Sequence, residues 1–344
     1  MTTRISQGKR AGINACANAR GIIAALAVDH RDNLLQAIAA ARGAGGQATS
    51  EDMIAFKTSV TRVLAPYASA LLLDVEYGLT AVKHCASNTG ILLAYEKSGY
   101  DFQIKGRLPD LLPAWSVRRL VEAGARAIKI LLYYNPFDDP AINRIKQAYI
   151  ERIGAECQAL DVPFFLEPLV YDEAIGPEQS LAFARKKPLY VAMASAEFSR
   201  DRYGVDVLKV ELPINPAFVA GTRAGRGGEI AYSRQDALGH LSTAAQAAEK
   251  PLIYLSAGVS DEVFCEMLEL AAEANVPFAG VLCGRATWSG GIAAYAQGGT
   301  GALEHWLGEQ GVQHIQTINA LLARCAVPWW QIYGEQANLE VTGS

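Results

Sequence analysis

Eight apolar runs recur along the chain, each bounded by turn residues. They are GIIAALAVD (21–29), ALLLDVE (70–76), ILLAYEK (91–97), AIKILLYY (127–134), PFFLEPLV (163–170), VLKVELP (207–213), PLIYLSAG (251–258) and FAGVLCGR (278–285). Runs this continuous are typical of strands buried on both faces of a parallel sheet. The connections between them carry helical periodicity. The clearest is 138–161, where Ile142, Ile145, Tyr149, Ile153 and Cys157 recur at three- and four-residue steps. Further helices are predicted over 51–65, 115–123, 233–248, 260–274 and 311–324. Eight strands alternating with helices predict an α/β fold, a (β/α)8 TIM barrel. A doubly wound open sheet is the alternative. It often carries a glycine-rich dinucleotide turn after its first strand, and here that position reads AVDHRDN. The glycines of GAGGQ (43–47) follow no strand and read as a loop in the long first crossover. A single barrel domain over 1–328 is expected, with 329–344 as a C-terminal tail. The tail's Trp329 and Trp330 are expected to pack on the barrel or on a partner subunit of a homo-oligomer.

At 344 residues, 51% of them hydrophobic, the chain can bury one large core. A net charge of −4 leaves no broad basic footprint, which argues against nucleic acid as a partner. The six cysteines (Cys16, Cys85, Cys157, Cys265, Cys283 and Cys325) form no CxxC pair. They read as reduced thiols of a cytoplasmic protein. No N-terminal signal pattern and no membrane-length apolar run is present in the sequence.

Active sites of (β/α)8 barrels lie at the carboxyl ends of the strands. Polar residues late in each run are therefore the candidates: Asp29, His30 and Arg31; Asp74 and Glu76; Glu96 and Lys97; Lys129; Glu167; Lys209 and Glu211. Lys209, in VDVLKVELP, stands out because a lysine withdrawn from water is more easily deprotonated. A neutral amine facing a pocket can attack a ketone and form a Schiff base. Lys129 would assist, because two ammonium groups held close repel. Glu167, on the strand between them in order, can shuttle protons to and from a carbinolamine and an enamine. Asp74, Glu76 and Glu211 read equally well as buried ion pairs. The junctions SAGVS and CGRATWSGG place Ser256, Gly258, Gly284 and Arg285 where barrels of this type hold phosphate. Of the five histidines only His30 falls at a predicted strand end, a poor fit to a metal centre. No metal and no cofactor are expected.

The strings LLDVEYGL (72–79), GILLAYEKSGYD (90–101), IKILLYYNP (128–136), AYIERIGAEC (148–157), PFFLEPLVYDE (163–173), YGVDVLKVELPIN (203–215), YLSAGVS (254–260) and GVLCGRATWSG (280–290) carry a family resemblance. Over residues 10–330 the chain resembles the class I tagatose-1,6-bisphosphate aldolases, Schiff-base aldolases of phosphorylated sugars. The resemblance implies Lys209 as the Schiff-base lysine, Glu167 as acid–base, and Lys129 and Asp29 as further active-site residues. It implies phosphate contacts at Ser256, Gly258, Gly284 and Arg285. The implied reaction is reversible cleavage of a phosphorylated ketohexose, tagatose 1,6-bisphosphate, to dihydroxyacetone phosphate and glyceraldehyde 3-phosphate. Fructose bisphosphate, a ketose 1-phosphate and sulfofructose 1-phosphate remain alternatives, as does a noncatalytic sugar-phosphate sensor. Arg31, Arg223 and Arg226 are candidates for a distal anion. The chain departs from the family's usual pattern in AVDHRD, where AFDQRG is usual. It departs also in EPLVYDE and in the basic stretch 216–233, which is expected near the substrate mouth.

Overall fold

The computed structural model describes residues 3–86, 89–100, 104–225, 228–334 and 336–342. Its strands are β1 (Thr3–Ser6), β2 (Ile23–Ala27), β3 (Ala70–Asp74), β4 (Gly90–Ala94), β5 (Ala127–Tyr134), β6 (Phe164–Val170), β7 (Val207–Val210), β8 (Leu252–Tyr254), β9 (Gly280–Cys283) and β10 (Leu339–Thr342). Strands β2 to β9 form a closed parallel barrel in chain order. The pairs from Ile23↔Gly280 to Leu26↔Cys283 seal it. Each predicted run coincides with one barrel strand, β4 beginning one residue ahead of its run at Gly90, so the (β/α)8 architecture read from the sequence is the one observed.

The predicted helix over 138–161 is Pro140–Ala159, opened by Pro140 and capped by the Asp139 carboxylate, which accepts from Ala141 N. The one over 51–65 is Ser50–Leu64, opened by a Thr49–Asp52 capping box. The glycines of 43–47 lie between this helix and Asp32–Ala41, as expected. Periodicity gave no warning of Gln7–Cys16, Lys187–Phe198 or Gly291–Trp306. In the last of these, Gly299 breaks the helical path with φ 66°, so glycine-rich sequence concealed it.

Strand alternation divides the core into two layers. Ala25, Ala27, Leu72, Leu92, Ala94, Ala127, Phe165, Val207 and Ile253 fill the barrel interior. Their neighbours Leu26, Leu71, Leu93, Ile128, Leu166 and Leu208 face outward and pack against the helices. Lys129, Glu167 and Lys209 each stand two residues after an inward side chain (Ala127, Phe165 and Val207). The phase of the strand therefore turns all three into the barrel.

The amino end of the barrel is plugged. Ile13 and Cys16 of helix Gln7–Cys16 join the inner cluster together with Trp329 and Leu339. Trp329, 1% exposed, donates from Nε1 to Asn14 Oδ1 at 3.0 Å. The tail then pairs as β10 in parallel with β1, from Thr3↔Leu339 to Ser6↔Thr342. The plug helix takes its cap from a distant residue: the Asp161 carboxylate accepts from Ser6 Oγ, from Gly8 N at 2.7 Å and from Lys9 N at 3.3 Å. Burial raises the Asp161 carboxyl, but these hydrogen bonds outweigh it and hold it below its ordinary value. Replacing Asp161 with Ala should therefore cost ~1–2 kcal/mol in urea unfolding at pH 7. Asp161 has φ 52°, which Asn tolerates well, so Asp161→Asn should cost less. Equal stability of all three proteins would show that the plug does not depend on this cap.

Candidate active site

Three charged side chains of β5, β6 and β7, Lys129, Glu167 and Lys209, meet inside the barrel. Lys129 Nζ lies 2.8 Å from Glu96 Oε1, 2.9 Å from Asp29 Oδ2 and 2.9 Å from Glu167 Oε2. Lys209 Nζ donates to the same Glu167 Oε2 at 2.8 Å. One carboxylate oxygen thus bridges two ammonium groups. Lys129 and Lys209 are 1% and 4% exposed, so these charges are compensated by one another and not by water. Burial alone would push Lys129 down; Asp29, Glu167 and Glu96 reverse this and raise it well above its ordinary value. Burial would raise the Asp29 and Glu167 carboxyls, but Lys129 and Lys209 hold both below the usual carboxylate range. Lys129 remains a fixed cation that keeps two carboxylates ionised. The sequence placed Lys129 as a neighbour of Lys209; the structure puts Glu167 between them. Glu96, a strand-end polar residue not assigned to the site from sequence, is the third carboxylate on Lys129.

The segment after β2 supplies Asp29, His30 and Arg31. His30 packs edge-on against Trp288, with ring centroids 5.2 Å apart. Its imidazole is pushed down to about 3, first by burial and then by Arg285, Lys209 and Lys57, against the pull of Asp29. It is neutral at physiological pH. Arg31 is 6% exposed and already committed, 3.0 Å from Glu76 Oε2 and 3.8 Å from Glu96 Oε1. Beneath this segment Lys57 Nζ donates to Val28 O at 2.7 Å and pairs with Asp74. The other Asp74 oxygen accepts from Glu76 N and Tyr77 N. Asp74 and Glu76 are thus framework ion pairs. Glu211 pairs with Lys187 at 3.1 Å and accepts from Val170 N at 2.9 Å, although it also lines the cavity.

Around β8 and β9 the two glycines have different tasks. Gly258 takes φ 81°, and a Cβ there would lie 2.9 Å from the Arg285 guanidinium carbon. The absent side chain lets Arg285 lie over the turn. At Gly284 a Cβ would collide with the Ala27 carbonyl oxygen, so this residue allows the first and last barrel strands to approach. Ser256 is buried beneath the same turn, and Arg285 and Ala257 face the cavity.

The cavity above the charged cluster measures ≈ 620 Å³, the size of a small-ligand site. Its far wall is formed by Leu131, Tyr133 and Leu169, with Arg107 and Glu178 at the rim. Arg107 comes from the long connection after β4 and carried no signal in the sequence. Arg223 does not line the cavity: its N–H meets Glu266 Oε2 at 3.0 Å on the outer helix Asp261–Glu273, which corrects its expected place near the mouth. Arg226 lies outside the described residues. Among the described residues no helix is long and apolar enough to cross a membrane.

A model of the DeoC/LacD family aldolases matches residues 23–290. The chain belongs to this family. It is 45% identical over 338 residues to a tagatose 1,6-diphosphate aldolase of Listeria monocytogenes serotype 4b, covering 98% of each chain. It is 50% identical over 310 residues to tagatose 1,6-diphosphate aldolase 1 of Streptococcus pyogenes serotype M1, covering 90% of this chain and 94% of the relative. Among solved structures it is similar to a Schiff-base-forming fructose-1,6-bisphosphate aldolase, with TM-score 0.56 and 16% identity, covering 90% of this chain and 98% of that one. A fructose-bisphosphate aldolase from Plasmodium falciparum gives TM-score 0.63 at 14% identity, covering 93% and 96%. At these identities the structural likeness concerns the barrel alone.

The charge balance has a pH consequence. In the wild type, the depressed Asp29 and Glu167 carboxyls contribute stability above the ordinary carboxylate range of about 4, and it is lost as pH falls below that. His30, neutral in the fold, likewise opposes acidification below about 6.5. Replacing Lys129 with Met buries the carboxylates without their nearest cation, raises their titration and reverses the sign of their contribution. Lys129→Met should cost ~3–5 kcal/mol near neutrality. Its deficit against wild type should shrink toward pH 4 in parallel denaturant titrations. A deficit independent of pH would contradict the charge assignment.

Proposed function

We propose that the protein is a class I aldolase that reversibly cleaves tagatose 1,6-bisphosphate to dihydroxyacetone phosphate and glyceraldehyde 3-phosphate. The observation that carries this reading is the Lys209–Glu167–Lys129 bridge at the floor of the cavity, with Glu167 Oε2 2.8 Å and 2.9 Å from the two amines. The names of the 45–50% identical relatives support the choice of substrate.

Lys209 gives up a proton to Glu167, and its neutral amine attacks C2 of the open-chain ketose. Glu167 returns a proton to the carbinolamine oxygen, which leaves as water and yields the protonated imine. The ionised Glu167 then accepts the C4 hydroxyl proton as the C3–C4 bond breaks. The bonding electrons pass into the imine, giving an enamine and releasing glyceraldehyde 3-phosphate. Protonation of C3 and hydrolysis return Lys209 and release dihydroxyacetone phosphate. Lys129 keeps Asp29 ionised and favours the return of Glu167 to its ionised form between proton transfers, and Asp29 orients the sugar hydroxyls. The turn Ser256–Gly258 and the Gly284–Arg285 junction hold the 1-phosphate, with Arg285 as the charged contact. The six free cysteines fit a reducing cytoplasm.

Borohydride reduction in the presence of dihydroxyacetone phosphate, followed by peptide mass spectrometry, should place a stable adduct on Lys209. Lys209→Ala should remain folded, form no adduct and lose turnover. Glu167→Gln should lower kcat roughly 10²–10⁴-fold. Full activity should survive EDTA. Substantial turnover by Lys209→Ala would overturn the Schiff-base assignment; binding of dihydroxyacetone phosphate without any adduct or turnover would favour a sugar-phosphate sensor.

A further inference from the structure

The far rim of the cavity carries a cation that the proposed chemistry does not use. The Arg107 guanidinium carbon lies near two rings at once, 4.2 Å from the Tyr171 centroid and 4.8 Å from that of Tyr133. Those rings meet edge to face, 6.0 Å apart. A guanidinium held within cation–π distance of two rings is confined in position and presents its edge for hydrogen bonding. In this structure the edge is turned to carboxylates: Arg107 lies 2.8 Å from Glu178 Oε1 and 3.8 Å from Glu173 Oε1. Both Arg107 and Glu178 line the cavity.

The order of the strands places this cation relative to the others. In the closed ring, β5 stands four places from β9 in either direction, directly across the barrel. Arg285 follows β9. Tyr133 is on β5 and Tyr171 directly follows β6, so Arg107 rests on the wall opposite Arg285. Arg31 follows β2, which is hydrogen-bonded to β9, and it is held between Glu76 and Glu96. A ketose joined through C2 to Lys209 on β7, with its 1-phosphate at the neighbouring β8–β9 turns, extends its other carbons across the barrel toward β5 and β6.

We infer that Arg107 receives the distal phosphoryl group of the substrate, exchanging its Glu178 partner for the phosphate. The inference rests on the aldolase reading of the site and specifies its second anion subsite. A phosphate dianion offers the guanidinium edge a stronger paired acceptor than the half-exposed Glu178 carboxylate. Tyr133 and Tyr171 hold the guanidinium in place while the partners exchange.

The test uses the condensation direction with the full-length protein. Dihydroxyacetone phosphate is the donor, and glyceraldehyde 3-phosphate or unphosphorylated glyceraldehyde is the acceptor. In wild type the ratio of kcat/KM for the two acceptors measures recognition of the distal phosphate. Arg107→Gln should lower that ratio roughly ten- to hundred-fold, chiefly through KM for glyceraldehyde 3-phosphate. Arg107→Lys should fall between, since it keeps the charge and loses the planar edge. Glu178→Gln, which removes the nearer of the two carboxylates Glu178 and Glu173, should lower KM for glyceraldehyde 3-phosphate. A wild-type ratio in Arg107→Gln, or a ratio that falls only in Arg31→Gln, would overturn the inference. Borohydride trapping of dihydroxyacetone phosphate on Lys209 in Arg107→Gln keeps the two levels apart. With the adduct present, the ratio judges Arg107 alone; absence of the adduct in wild type overturns the aldolase reading beneath it.

Discussion

The structure depends on the cost of taking charge out of water. Lys129 sits where no solvent reaches it, and three carboxylates repay its lost hydration. Each of those carboxylates is needed elsewhere. Glu167 also holds Lys209, Asp29 opens toward His30, and Glu96 reaches Arg31. The result is a network in which no member can be moved without exposing another to an unpaired burial. Such a network fixes geometry, and fixed geometry is what a multistep proton transfer requires.

Support for this cluster comes from below and beside it. Lys57 ties the Val28 carbonyl to Asp74, and Asp74 ties the turn that presents Glu76 to Arg31. The segment bearing Asp29 is therefore held by side chains from two other elements. Trp288 closes the same region, donating to the Ala27 carbonyl at 2.9 Å and covering His30. The neutral imidazole fits this surrounding, because a protonated one would add a third cation to Arg285 and Lys209, facing only an Asp29 carboxylate already paired with Lys129.

Much of this was legible in the sequence, because the relevant signals are local. The strand runs announced themselves by continuous hydrophobicity. Lys129, Glu167 and Lys209 were conspicuous as charges inside those runs, and strand phase turned them to one side. What escaped was what distant residues decide. Glu96 looked like one more polar strand end, and only the folded barrel shows it against Lys129. Arg107 sits on an irregular connection and finds its place through Tyr133 and Tyr171. Arg223, promising because it is basic, turns its guanidinium to Glu262 on an outer helix, 3.8 Å away. The pairing of β1 with β10 joins opposite ends of the described chain, beyond the reach of any periodicity argument.

The inward phase of Lys129, Glu167 and Lys209 has a further consequence for how this protein can change. A strand alternates with a period of two, so one inserted or deleted residue within β5, β6 or β7 would turn its charged side chain from the barrel interior into the helix layer. Strand length here is quantised. The connections at the mouth obey no such parity, and a residue gained or lost there alters reach without altering phase. Substrate preference can therefore drift by small steps in the rim segments, while the carbon–carbon chemistry below can vary only by side-chain replacement.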